Sequence, residues 1–379
     1  MSPIIIGLTI LAIILLGYSF ILYKQRVDIL NKVNANEKDF ENKSKIVRGE
    51  IPATTTTTTT KEGLTLLQAV GLEASSPNEE ASKILKQLQT GSSSQIQSFP
   101  DAYKDLSLRE CAIKSSYNSA ISGKYASSAM IKNVLQRGCR FLDFQILSSD
   151  TDAKDYVSIA LENQTINLDT ENKLPLAEAM NIASAYGFSN APNSGDPLFI
   201  HLRVMSKNPT TYSRIAKTLS FSFEGKLFPG KVTKDTKLGE LLGKAVIIFD
   251  KTTNPEFTGN CDGSSAPDCK PLASLIHMYS GTTELRKYEF QQLLQTSPLV
   301  VHRDTDGPHN DMPYLRMSVP PLTSTDTDVS PIEFMSHYPC QMLAMRFNLV
   351  DDNLIEYESI FNRNQCAFIP LPIYDKKKE

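Results

Sequence analysis

The chain has no surplus of basic charge: 39 lysines and arginines stand against 42 aspartates and glutamates, a formal net charge of −3. Without a basic footprint, nucleic acid is not expected as a partner. Cysteine is scarce too. Six in 379 residues do not make a disulfide framework, and scattered reduced thiols are the expected state. Cys261 and Cys269 flank one loop and are the pair that an oxidising compartment would allow to bridge. No CxxC or Cys/His cluster has zinc spacing. No GxSxG elbow, P-loop or dinucleotide fingerprint occurs, because Gly225-Lys226 and Gly243-Lys244 lack the glycines such loops need. His302, Asp304, Asp306 and His309 crowd one short segment as metal ligands would, but Asp/Gly/Pro-rich sequence is also ordinary turn chemistry.

What is present begins with a long apolar run. Residues 4–23 (IIIGLTILAIILLGYSFILY) carry no charge, and a helix of that length covers the roughly 30 Å hydrocarbon core of a bilayer. A cleaved signal peptide would want a basic n-region and a small-x-small site, and neither is there. Lys24, Arg26 and Lys32 follow at once, so the positive-inside bias predicts a single-pass membrane protein with its large C-terminal part in the cytosol. Residues 1–23 are thus read as the transmembrane segment and 24–98 as a juxtamembrane linker. The linker contains seven consecutive threonines at 54–60, which cannot bury a core. Between residues 64 and 88 two short amphipathic helices are expected, the second behind Ser76-Pro77.

From residue 99 strands alternate with helical patterns. Strand candidates are 112–114, 141–147, 156–161, 198–204, 245–250, 298–302 and 314–319. Helical patterns fall at 127–136, 176–185, 210–221 and 271–279. Alternation of this kind predicts an α/β fold with a mostly parallel sheet and helices outside. Residues 255–270 are rich in turn formers and divide the domain into halves at 99–254 and 271–373, ahead of a charged tail at 374–379.

Residues 110–145 read ECAIKSSYNSAISGKYASSAMIKNVLQRGCRFLDFQ: a strand, a polar loop, a helix and a strand. This stretch resembles the X half of the catalytic barrel of phosphoinositide-specific phospholipase C, whose members read SSHNTY and then GCR with a following ExD. Residues 238–251 (LGELLGKAVIIFDK) are similar to the end of the X region. Residues 330–372, with CQMLAMRFN as their most specific piece, resemble the Y region. The resemblance covers residues 106–372 and implies a distorted TIM (β/α) barrel of the phospholipase C-like phosphodiesterase type, with its site at the C-terminal ends of the strands.

Residue by residue, the resemblance also implies losses. One family histidine falls at Tyr117, a phenol with a reference pKa near 10 and a poor base at neutral pH. The second has no counterpart in residues 156–162. The family binds calcium through an asparagine, a glutamate, an aspartate and a further glutamate. Here Asn118 is kept, the glutamate has become Asp143, the aspartate Gln145, and the last falls at Arg203. Calcium wants several oxygen ligands with anionic ones among them, so the calcium site is expected to be lost, with Arg203 pairing with Asp143 instead. Arg316 matches the family arginine that holds an inositol phosphate, with Ser318 at the place of its stacking tyrosine. His201 shares a strand face with Arg203 and is read as a buried core histidine or a replacement base.

The expectation is a membrane-anchored pseudoenzyme. Its remnant pocket (Tyr117, Asn118, Asp143, Gln145, His201, Arg203 and Arg316) would serve a phosphoinositide headgroup or a protein partner, or the barrel would be a purely architectural block. The alternative is an active phosphoric diester hydrolase working through displaced residues such as His201 or Tyr117.

Overall fold

The structure is a computed structural model that describes residues 76–91, 94–149, 153–158, 170–258, 271–298, 312–321 and 328–371. The expected membrane segment at 4–23, the threonine run, the Cys261/Cys269 pair, the strand expected at 298–302 beyond its first residue, the His302–His309 cluster and the charged tail lie outside the described residues. Among the described residues, no helix is long and apolar enough to cross a membrane.

Eight parallel strands close into a barrel. They are β1 (Ser115–Ser116), β2 (Phe141–Ser149), β3 (Leu198–Val204), β4 (Ala245–Asp250), β5 (Met278–Ser280), β6 (Leu285–Glu289), β7 (Leu315–Val319) and β8 (Met342–Met345). Each pairs with the next, and Ala344 and Met345 of β8 return to Ser115 and Ser116. Strands β3 and β4 are buried throughout, as parallel strands covered on both faces must be, which is why LFIHLRV and AVIIFD read as near-continuous apolar runs. Around them lie α1 (Pro77–Gly91), α2 (Ser128–Gln136), α3 (Leu176–Ala185), α4 (Pro209–Ser222), α5 (Phe290–Leu294), α6 (Pro331–Ser336) and α7 (Asp352–Asn364).

Local chemistry sets the helix starts. Asn208 accepts from Thr210 N at 3.0 Å ahead of Pro209, and Asp351 accepts from Leu354 N at 2.8 Å. Each satisfies one of the backbone donors a helix leaves open. The compact unit that holds the barrel begins at Ala74, ahead of the expected start at 99. Ser76 and Glu79 form a capping box for α1, and its buried Ala81, Ile84 and Leu88 join the core cluster at the i, i+3, i+7 spacing of one helix face.

Several elements differ from expectation, among them the strand candidate at 156–161, whose described part belongs to Lys154–Val157 and pairs antiparallel with β2. Residues 271–279, read as helical, form a 3-10 turn at Leu272–Leu275 and then β5; the apolar spacing of a short buried segment cannot separate the two. The strand expected at 112–114 is divided. Cys111–Ile113 pairs antiparallel with Phe368–Pro370, Lys114 turns between them, and β1 starts at Ser115.

Candidate functional site

Strand register assembles the barrel mouth. Asp143 and Gln145 of β2 pair with His201 and Arg203 of β3, and the two-residue period points all four side chains to one face. The chain leaves β1 through Tyr117 and Asn118, the latter at φ 45°, a left-handed conformation asparagine tolerates better than most residues. That turn lets Asn118 N donate to Asp143 Oδ2 at 3.0 Å while Ser119 Oγ accepts from Asp143 N at 2.9 Å.

Arg203 is clamped by this arrangement. Its Nε donates to Asp143 Oδ1 and Oδ2 at 3.0 and 3.3 Å, and its Nη2 donates to Asp143 Oδ2 at 2.9 Å and to Asn118 Oδ1. The guanidinium carbon lies 4.8 Å from the centre of the Tyr117 ring, a cation–π contact. The pairing of Arg203 with Asp143 expected from the sequence is therefore formed.

Beneath it a polar chain crosses the barrel. His201 Nδ1 meets Asp143 Oδ1 at 2.7 Å, and its Nε2 meets Ser280 Oγ at 2.9 Å. Ser280 Oγ donates to Asp250 Oδ1 at 3.1 Å, and Lys287 Nζ donates to Asp250 Oδ2 at 2.6 Å. Thr252 and Thr253 add hydroxyl donors to the same carboxylate. Burial alone would raise the carboxyl of Asp143; the Arg203 charge and the His201 hydrogen bond outweigh it and hold the group well below the usual carboxylate range. Asp250 follows the same pattern, with burial opposed chiefly by Lys287. Burial pushes the Tyr117 phenol up to about 12 against the pull of Arg203, which removes it further from work as a base at neutral pH.

Serine, histidine and aspartate stand here in the order of a hydrolase triad, but the chemistry does not follow. Ser280 and His201 are fully buried, both ring nitrogens have partners, and the Ser280 hydroxyl faces a carboxylate rather than an open oxyanion site. A nucleophile needs access to its substrate.

Above this layer opens a cavity of about 580 Å³. Tyr117, Gln145 and Arg203 line it, with Thr252 and Thr253 from the turn after β4, Lys287 and Glu289 from β6, and Val319 from β7. Sequence reasoning missed Asp250, Ser280, Lys287, Glu289 and the two threonines. An aspartate closing the apolar run AVIIFD was the available signal for Asp250, whereas Lys287 sits in a strand whose polar alternation, LRKYE, was not recognised.

Arg316 is not brought to the site. Met317 pairs with Lys287 and Arg316 with Arg286, so Met317 and Val319 share the inward face with Lys287 and Arg316 lies on the opposite one. There its Nη2 donates to Tyr314 Oη at 3.1 Å. Pairing the family arginine with Arg316 required an extra residue before Pro320; the register places the inward positions one residue later, at Met317 and Val319.

Calcium does not fit the four positions that the resemblance equates with its ligands. The Arg203 guanidinium takes the side-chain oxygen of Asn118 and both carboxylate oxygens of Asp143, and Gln145 is neutral. One carboxylate shared with a guanidinium does not make the anionic oxygen cage calcium requires. Among the described residues, no group of three or more His, Cys, Asp or Glu side chains is placed to hold a metal.

The SSYN and GCRFLDF segments thus carry the polar mouth at the strand C-termini. Residues 105–251 match the family model of the phosphatidylinositol-specific phospholipase C X domain. The chain is phospholipase C-like in this half. Its fold is also similar to crystal structures of PLC21 from L. pealei (14% identity, TM-score 0.53, 71% of this chain and 38% of that one) and from S. officinalis (15% identity, TM-score 0.51, 71% and 37%). The chain thus spans well under half the length of either protein. No curated protein matches it in sequence. The likeness to PLC21 extends the barrel assignment beyond the X domain.

Proposed function

We propose that this phospholipase C-like barrel is a non-hydrolytic binding module, held at a membrane through residues 4–23 with the barrel on the cytosolic side, whose mouth receives the headgroup of a phosphoinositide lipid. The observation that carries the reading is the seating of Arg203 on Asp143 and Asn118. The oxygens of Asp143 and Asn118 already accept from the guanidinium, and the groups nearest the role of proton carrier are a buried phenol and an imidazole with both nitrogens partnered. Hydrolysis of a phosphodiester needs charge stabilisation and a proton carrier within reach of the leaving oxygen, and neither Tyr117 nor His201 meets the second need. The family's substrate supports a lipid headgroup as ligand, and the cavity supports it by its place at the barrel mouth. Arg316 is not part of this proposal.

The test is release of water-soluble inositol phosphate from phosphatidylinositol vesicles by the purified full chain, with and without calcium. No release above the protein-free rate is expected in either condition, alongside retention of the headgroup analogue glycerophosphoinositol. Calcium-stimulated release contradicts the reading.

A further inference from the structure

On the outer side of the barrel wall, β6 and β7 carry charge without a counter-charge. Arg286 and Arg316 are direct partners in the parallel ladder, so both side chains leave the same face of the sheet. Both reach the Tyr314 ring, the Arg286 guanidinium carbon lying 3.7 Å from its centre and that of Arg316 5.4 Å. Like charges directly opposite one another across a ladder repel. Among the described residues, no carboxylate forms an ion pair with either arginine.

Arg316 is buried, with 4% of its surface exposed. Its backbone is satisfied, N donating to Gln341 Oε1 at 2.7 Å and O accepting from Gln341 N at 3.1 Å. Its side chain is not. Nη2 donates to Tyr314 Oη at 3.1 Å, whereas Nε and Nη1 are buried with no hydrogen-bond partner among the described residues. The other buried arginines are answered: Arg140 by three backbone carbonyls, Arg203 by Asp143, Arg137 by Glu358 and Arg346 by Asp328. A buried guanidinium without an acceptor or a counter-charge is strongly disfavoured, so an anion in contact with Arg316 stabilises the fold as it binds.

We propose that Arg286 and Arg316 form a second anion site, on the outside of the barrel, for a doubly charged oxyanion: inorganic phosphate or a soluble phosphomonoester. Two guanidiniums without a carboxylate are neutralised by a dianion, whereas a single carboxylate leaves one charge over. Arg316 supplies the buried donors Nε and Nη1. Arg286 is exposed on its strand, and turning its flexible side chain off the Tyr314 ring opens the way to Arg316 at the cost of one exposed cation–π contact. The site does not depend on the mouth reading, because Lys287 and Met317, one residue further along each strand, point to the opposite face. Its place on the outer wall favours a soluble anion over a lipid headgroup.

The experiment titrates the full chain, held in phosphatidylcholine nanodiscs, with inorganic phosphate, glycerol 3-phosphate and acetate by calorimetry. Both phosphates are expected to bind saturably, and acetate at least about tenfold more weakly. Arg286→Gln, an exposed change, keeps the original melting temperature and lowers phosphate affinity about tenfold, as for one charge-assisted hydrogen bond. Arg316→Met abolishes binding and the phosphate-dependent rise in melting temperature; if that variant does not fold, Arg286→Gln carries the test. Saturating glycerophosphoinositol, a probe of the mouth, leaves phosphate affinity unchanged. No saturable phosphate binding, acetate as tight as phosphate, displacement by glycerophosphoinositol, or unchanged affinity in Arg286→Gln overturns the site. Loss of the phosphate heat when the nanodiscs carry phosphatidylinositol 4-phosphate gives the site to a lipid headgroup and overturns the soluble ligand.

Discussion

At the scale of the residue, the mouth is governed by two ion pairs, Asp143 with Arg203 and Asp250 with Lys287, each neutral within itself. Asp143 and Arg203 are both buried, and removing one partner of such a pair leaves the other charged and unsatisfied. Asp143→Asn is therefore expected to cost about 3–5 kcal/mol, read as a fall in the urea midpoint. Asp196 behaves in the opposite sense. Burial pushes its carboxyl up to about 6 against the pull of Arg140, and its Oδ2 has no hydrogen-bond partner. A folded-state value above the unfolded one near 4 means that the folded state binds the extra proton between those limits, so this group contributes stability at acidic pH that is lost as the pH rises through about 6. Asp196→Asn is expected to raise stability at pH 7 by about 3 kcal/mol and to flatten the pH dependence of the melting temperature between about 4 and 6. An unchanged profile would contradict the assigned cause. Residue identity made part of the mouth legible from sequence: Tyr117, Asn118, Asp143, Gln145, His201 and Arg203 all meet there. Arg316 was misplaced because a one-residue slip in a strand moves a side chain to the other face, and no composition signal reports such a slip.

At the scale of the element, the barrel closes on its weakest strand. β1 contributes only Ser115 and Ser116 to the ladder, and Tyr357 of α7 stands in for the missing length. Its hydroxyl accepts from Ser115 N at 2.7 Å and donates to Leu343 O at 3.0 Å. Glu358 beside it receives both Lys114 and Arg137, joining α7 to the residues that flank β1 and follow α2. Tyr357→Phe leaves the Ser115 amide buried without an acceptor, and a loss of about 1–3 kcal/mol is expected, with faster amide hydrogen exchange in β1 and β8 than in β3 and β4. Equal exchange in all four strands would contradict the role given to Tyr357. The strongly apolar strands β3 and β4 appear in the sequence at their observed bounds because burial on both faces leaves an uninterrupted signal. β5 and β6 did not. Three residues in one and a polar alternation in the other fall below what periodicity resolves.

At the scale of the whole molecule, the barrel is phospholipase C-like in fold and pairs the charges at its mouth with one another. The X-domain match agrees with the resemblance carried by SSYN and GCR, and the closed parallel barrel extends over the segment that holds CQMLAMRFN; the proposed membrane anchor and the proposed cytosolic orientation rest on residues 4–23 and the basic residues after them. The account turns on the occupant of the space between Asp143 and Asn118. The most direct measurement is a crystal structure of the protein grown in calcium-containing solution, with the anomalous signal collected for that ion. The account predicts guanidinium density from Arg203 bridging the two side chains and no anomalous peak beside them. A calcium peak coordinated by Asn118 and Asp143, with Arg203 swung away, would contradict it.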